Sequence, residues 1–156
     1  MKLDLHEIPG LSQNDQTHWQ IRALVMETEG QRRSPALDAL NEWRTNQRGD
    51  FNKIIKVMKR VAQTTRVRDP NHVKRSENPD HGEVYEMRAH RGHARLMFFY
   101  GKHQKTAVVV CTNSHWKTKG NQDQAFKLCS QLKQLYENHF PETKHEPTKR
   151  KKPKRR

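Results

Sequence analysis

The sequence predicts an α+β fold: a small antiparallel-meander sheet with an N-terminal strand, an α-hairpin and a C-terminal helix. Residues 82–117 carry the main signal, three β-rich runs in a row separated by turn signals at Arg91-Gly92 and at residues 101–104. Two segments with apolar residues at helical spacing come before that stretch and one comes after it. Together these patterns give a meander flanked in the chain by helices.

Residues 1–17 mix acids, Pro9, Gly10 and polar residues without a convincing period, and are expected to form a loose N-terminal extension. Residues 18–27, HWQIRALVME, alternate in part and have enough β-branched and aromatic character for a first strand. Residues 30–33 then turn the chain. Ser34 followed by Pro35 marks a helix start, with Leu37, Leu40 and Trp43 at helical spacing behind it. Residues 46–49 break that helix. Asp50 suits the N-cap of a second, whose positions Phe51, Ile54, Ile55, Met58, Val61 and Ala62 make an apolar stripe. Its opposite face carries Lys53, Lys56, Lys59 and Arg60, extended by Arg66 and Arg68. Such a face is most often plain solvated surface, but it also fits the wall of a basic groove that contacts RNA through Lys53, Lys56 and Arg60. Residues 69–80, rich in proline, asparagine and charge, read as a loop into the meander.

The first hairpin of the meander can be tested on its own side chains. A two-residue loop at Arg91-Gly92 sets Met87 against Leu96 and Tyr85 against Phe98, because antiparallel pairing keeps the sum of partner numbers constant. One face is then apolar. On the other, Arg88 lies opposite Arg95, with Glu86 opposite Met97 beside them. Like charges facing each other cost up to about 1 kcal/mol. An anion between the guanidinium groups would relieve that cost, and phosphate matches their planar forks of donors. Alternatively Glu86 neutralises Arg88, and both arginines are ordinary strand residues. Arg91 fits poorly the φ > 0 of a type I′ turn, which would lengthen the loop.

After the meander residues 118–120 turn, and Asn121 with Gln124 resembles a capping box. Ala125, Leu128, Cys129, Leu132, Leu135 and Tyr136 then repeat at three and four, so a last helix should lie on the sheet and end near Phe140-Pro141. The core domain therefore spans residues 18–140, and residues 141–156 form a basic, disordered tail. From Lys144 onward there are eight lysines and arginines against one glutamate, +7 of the formal +14. Lys149, Arg150, Lys151 and Lys152 are its densest run, and such a tail gains free energy by releasing counterions from a nucleic-acid backbone. A targeting signal or a solubilising tail has the same composition.

A chain of 156 residues allows one domain with a real core, and a hydrophobic content of 31% places part of its length outside that core. The charge of +14 points to a polyanionic partner, nucleic acid or ribosome ahead of membrane, since no basic helix with a bulky apolar face is evident. Cys111 and Cys129 read as small buried hydrophobes, which suits a reducing cytosol, and no signal peptide or membrane span is found, so a soluble cytoplasmic protein is expected. Ten histidines without paired cysteine or carboxylate spacing give no metal signature, and no Gly-rich phosphate loop implies a nucleotide cofactor. The three tryptophans suit a core, although Trp116, beside Lys117 at a strand end, also suits stacking on a nucleotide.

The order strand, two helices, meander, helix, with the segments VYEMR, HARLMFFY, VVVCTNSHWK and AFKLCSQLKQLY, resembles the RelE/HigB superfamily of type II toxins. The resemblance covers roughly residues 19–139 and is richest over residues 84–136. That family has a Leu-Arg at the end of one strand, an aromatic-Arg-aliphatic at the start of the next and a Lys after the last. Arg88, Arg95 and Lys117 stand in those places here. The resemblance implies a metal-independent endoribonuclease that cuts messenger RNA on the ribosome and is silenced by a cognate antitoxin, of helix-turn-helix type. Cleavage would proceed by attack of a ribose 2′-oxygen on the adjacent phosphorus. Positive charge must surround the phosphorane, with a base for the hydroxyl and an acid for the leaving 5′-oxygen.

Arg88, Arg95 and Lys117 suit the charge; Glu86 is the preferred base, and His115 and His93 are candidate acids. Lysines that some members carry before the first arginine are replaced by Val84 and Glu86, so the family's catalytic set is incomplete. Two alternatives stay open: a non-catalytic, ParE-like toxin that binds DNA gyrase, and a basic nucleic-acid-binding module that depends on its tail.

Overall fold

The computed structural model describes residues 1–118 and 121–141. In chain order the elements are β1 (Lys2–Glu7), β2 (Gln20–Thr28), β3 (Gln31–Arg33), α1 (Pro35–Asn46), α2 (Arg48–Gln63), β4 (Val73–Arg75), β5 (Tyr85–Arg88), β6 (Ala94–His103), β7 (Thr106–Trp116) and α3 (Gln122–His139). The strands make one seven-stranded sheet in the order β1-β2-β7-β6-β5-β4, with β3 paired to β2 off that path. Every pairing is antiparallel except that of β2 with β7. The fold is thus α+β, a sheet with N-terminal strands, a helical hairpin and a C-terminal helix.

Alternation along β6 decides where the core sits. Leu96 and Phe98 point to one face and pack with Leu40, Trp43, Ile54, Met58 and Val61 of the α1–α2 hairpin. Met97 and Phe99 point to the other, against Phe126, Cys129 and Tyr136 of α3. The helices bury the predicted stripes with one exception: Leu128 is among the exposed large hydrophobic residues, because it falls beside the α3 stripe and not on it. Both cysteines are buried and unbridged, and burial pushes both thiols up, so they are inert packing groups at neutral pH.

Helix α1 starts as its chemistry requires. Ser34 Oγ accepts from the Leu37 amide at 3.2 Å and donates to the Leu24 carbonyl at 2.7 Å, and Pro35 occupies the first turn. Helix α2 departs from expectation, starting at Arg48, so Asp50 is not its N-cap but lies in its first turn. Asn121 caps α3 by accepting from the amides of Asp123 and Gln124. Thr118 lies in a turn; Lys119 and Gly120 lie outside the described residues.

Residues 1–17 are not a loose extension. β1 pairs with β2 from Lys2↔Glu27 to Glu7↔Arg22, Leu3 joins one core and Ile8 the other. As an edge strand β1 needs one short apolar row, Leu3 and Leu5, which is too little to register as a period. The stretch read as a loop before the meander likewise contains β4, a second edge strand of three residues, and a single 3-10 turn at Pro79–His81. The turn expected at residues 30–33 is made by Glu29-Gly30, and residues 31–33 of that stretch are themselves β3, paired to β2.

In the meander, β5 and β6 pair as Tyr85↔Phe98, Glu86↔Met97, Met87↔Leu96 and Arg88↔Arg95, the register the sequence predicts. The loop is longer than two residues: the Gly92 amide donates to the Ala89 carbonyl at 2.7 Å across His90-Arg91, with Arg91 at a φ of 64°. The Ala89 amide donates to the Ala94 carbonyl at 3.0 Å, which keeps the register. The second turn is Gln104-Lys105, with φ values of 50° and 70°, the two positive angles of a type I′ connection. β6 therefore runs through Gly101 to His103. Between β6 and β7 the register shifts, from Phe98↔Cys111 to Met97↔Asn113, leaving Thr112 as the extra residue of a β-bulge.

Candidate nucleic-acid interface

Three neighbouring strands bring Arg88, Arg95 and His115 into one cross-strand row, since Arg95 is the partner of Arg88 on β5 and of His115 on β7. The guanidinium groups of Arg88 and Arg95 therefore share a face of the sheet, as the register predicts.

Glu86 joins the row together. It has no exposed surface; its two oxygens accept hydrogen bonds from His115 Nε2 at 3.1 Å and Gln122 Nε2 at 2.8 Å, and Arg88 Nε lies 3.3 Å away as an ion pair without hydrogen-bond geometry. A fully buried carboxylate is tolerable only with such partners. This arrangement does not suit the expected general base, which needs an oxygen free to meet substrate; Glu86 is a positioning residue. The opposite ring nitrogen of His115, Nδ1, is buried and has no hydrogen-bond partner among the described residues.

The two arginines are unequal. Arg88 is 27% exposed at its side chain and reaches the Pro70 carbonyl through Nη1 at 3.0 Å. Arg95 is buried at 4%, and its Nη1 donates to the carbonyls of Ala94, Gly92 and Ala89 at 3.0, 3.3 and 3.4 Å. Burial holds its pKa below the ordinary arginine value, with the Arg88 charge adding to that and Glu86 and Asp50 opposing it. Arg95 is thus occupied by the hairpin turn, and Arg88 is the guanidinium that solvent reaches.

Other expected residues lie elsewhere. Lys117 is exposed just past β7, its amide donating to the His93 carbonyl at 2.9 Å. Trp116 pairs with Ala94, one position out of phase with the row, and packs on the α1–α2 core with His93 stacked on it at 5.2 Å. His93 and Trp116 therefore form an edge of the opposite face. Lys149, Arg150, Lys151 and Lys152 lie outside the described residues.

The basic face of α2 is more concave than its sequence suggests. Lys53, Lys56 and Arg60 line a cavity of about 390 Å³ with Val57, His72 and His90. Their spacing along α2 puts the four helical residues on one stripe. Arg60 Nη1 donates to His72 Nδ1 at 2.7 Å, and Asp69 Oδ2 lies 3.7 Å from that Nη1 and 3.4 Å from that Nδ1. No member of this cavity belongs to the Arg88 row.

Gln122, Asp50, His72 and His90 are the site residues that sequence reasoning did not single out. Asp50 Oδ2 accepts from the amides of His93 and Ala94 at 2.6 and 2.8 Å, fixing the turn that Arg95 holds from its carbonyl side. The one usable signal was Gly92, whose neighbour in space had to come close. None of the described helices is long and apolar enough to cross a membrane.

Comparison of the chain with protein-family models, with curated proteins and with solved structures finds no match.

Proposed function

We propose that this protein is a RelE/HigB-like toxin, a metal-independent endoribonuclease that binds messenger RNA on the ribosome and is held silent by a cognate antitoxin. The observation that carries this reading is the row Arg88, Arg95 and His115 on one face, drawn together by the buried carboxylate of Glu86. Such a row supplies fixed positive charge where a pentacoordinate phosphorane would form.

In this scheme the ribose 2′-hydroxyl gives its proton to water as its oxygen attacks the neighbouring phosphorus, and the bond to the 5′-oxygen breaks. Arg88, the exposed guanidinium, and Lys117, exposed just past β7, take the phosphate charge. Arg95 contributes its field from behind while holding the turn. His115, the expected acid, has its Nε2 tethered and its Nδ1 buried, so it shapes the row while the leaving 5′-oxygen takes its proton from water. Glu86 orients that ring. Lys53, Lys56 and Arg60, with the basic tail, hold RNA away from the chemistry.

The deciding experiment expresses wild type and Arg88→Gln in cells lacking the antitoxin and maps messenger-RNA ends. Codon-phased cuts that disappear in Arg88→Gln are expected. Intact messages with stalled replication would replace this reading with a gyrase-binding, ParE-like toxin. A non-catalytic nucleic-acid-binding module is the second reading, favoured by the internal satisfaction of Glu86 and Arg95. It requires that RNA be retained but never cut, and that removal of residues 144–156 abolish retention.

A further inference from the structure

We infer that the cavity lined by Lys53, Lys56, Val57, Arg60, His72 and His90 seats one nucleotide, its phosphate on the three α2 cations and its base against the imidazoles. The inference rests on the RNA-binding part of the proposed function and not on cleavage, because the cavity shares no residue with the Arg88 row.

Size and charge both fit. About 390 Å³ falls within the roughly 300–1,000 Å³ of small-ligand sites. Lys53 and Lys56 form no ion pair among the described residues, so two ammonium groups border the cavity without a carboxylate of their own. Arg60 is already oriented by His72 and Asp69, which removes part of the entropic cost of recruiting a long side chain. Asp69 is the acidic group beside Arg60 and His72, and it leaves the cations in excess.

The wall decides the ligand class. A bare phosphate would meet the cations and leave the two imidazole rings uncovered. Those rings, 6.2 Å apart and near perpendicular, offer planar surface of the kind on which an unstacked base rests. An acidic peptide would satisfy the lysines and give the rings no planar partner. A nucleotide satisfies both halves, and it can come from single-stranded RNA or from the free nucleotide pool.

The test follows the His72 and His90 ring signals of the full chain by NMR during titration with adenosine 5′-monophosphate, adenosine, inorganic phosphate and hexaadenylate. The monophosphate is expected to move both rings and to bind at least about tenfold more tightly than adenosine or inorganic phosphate, since each carries only half of the contacts. Lys53→Gln with Lys56→Gln should weaken it by about tenfold or more, at exposed or half-buried helix positions that leave the fold unchanged. Hexaadenylate moving the same signals at equal or lower concentration assigns the cavity to an RNA strand; the monophosphate alone moving them assigns it to a free nucleotide. Inorganic phosphate binding as tightly as the monophosphate, or ring signals that stay still, overturns the inference. No cleavage enters the readout, so an inactive nuclease with a filled cavity and an active one with an empty cavity are separate results.

Discussion

The Asp50 carboxylate occupies the space beside Gly92 that a side chain would need: a Cβ at position 92 would lie 2.8 Å from Asp50 Oδ2. Gly92 does not use the positive φ open to glycine; it is needed for this close approach. Asp50→Ala removes the acceptor of two backbone amides, and should lower the free energy of unfolding by about 1–3 kcal/mol in urea titrations. Gly92→Ala should cost a similar amount alone and distinctly less in the Asp50→Ala background. Additive costs would show that the two positions are not coupled.

Arg88 and Arg95 should separate function from stability. Arg95→Met leaves carbonyls of the hairpin turn without their donor, and a loss of about 1–3 kcal/mol is expected from chemical denaturation. Arg88→Gln should cost less than that and weaken single-stranded RNA binding more, as read by fluorescence anisotropy. The reverse order would exchange the roles given to them.

Removing the carboxylate of Glu86 strands two basic groups. Glu86→Ala leaves His115 and the buried Nε of Arg88 facing a void, with an expected loss of about 3–5 kcal/mol. Glu86→Gln keeps the volume and one acceptor, and should recover a good part of the loss. Equal unfolding midpoints for the two variants would show that the lost charge, and not packing, sets the cost.

Tyr100 gives an alkaline signature. Burial raises its pKa from 10.0 to about 12, helped by Tyr85 and opposed by the Arg66 guanidinium, 3.9 Å from the ring centroid, and by a hydrogen bond to the Val67 backbone. The folded state thus holds the phenolic proton more firmly than the unfolded chain. Its contribution to stability is complete below pH 10 and is lost as pH rises from about 10 to about 12. Tyrosinate absorbance should show a late-titrating phenol that Tyr100→Phe removes, and the same substitution should flatten the fall in stability across that window. Arg66→Ala, which removes the opposing charge, should delay the titration further.

What could be read from the chain divides by the range of the interaction. The β5–β6 register was legible because a tight turn fixes the sum of partner numbers, and the α2 stripe because its spacing is local. Arg88 and Arg95 could therefore be placed opposite one another without coordinates. That Arg95 turns back to its own hairpin could not, since it depends on rotamer and burial. Gln122 meets Glu86 only once α3 is docked, and Asp50 meets the turn only once α2 is. The cavity beside α2 needed His72 and His90, which lie on separate loops and carry no shared spacing.

Thr112 sets the phase of the last turnings of β7. Val109 and Cys111 belong to the α1–α2 core, and strict alternation would send residues 113 and 115 after them. Because one residue is inserted at the bulge, Asn113 instead reaches the Ala125 carbonyl on α3, His115 meets Glu86, and Trp116 takes the inward place. Excising that single residue would leave a regular ladder with the imidazole and the indole on the faces they now have, whereas pairing Thr112 regularly with Met97 would rotate the imidazole into the helical hairpin and swing the indole out toward the carboxylate. In that regularly paired strand the cationic face would be dismantled with every one of its members still encoded, so the bulge, as much as side-chain identity, specifies it.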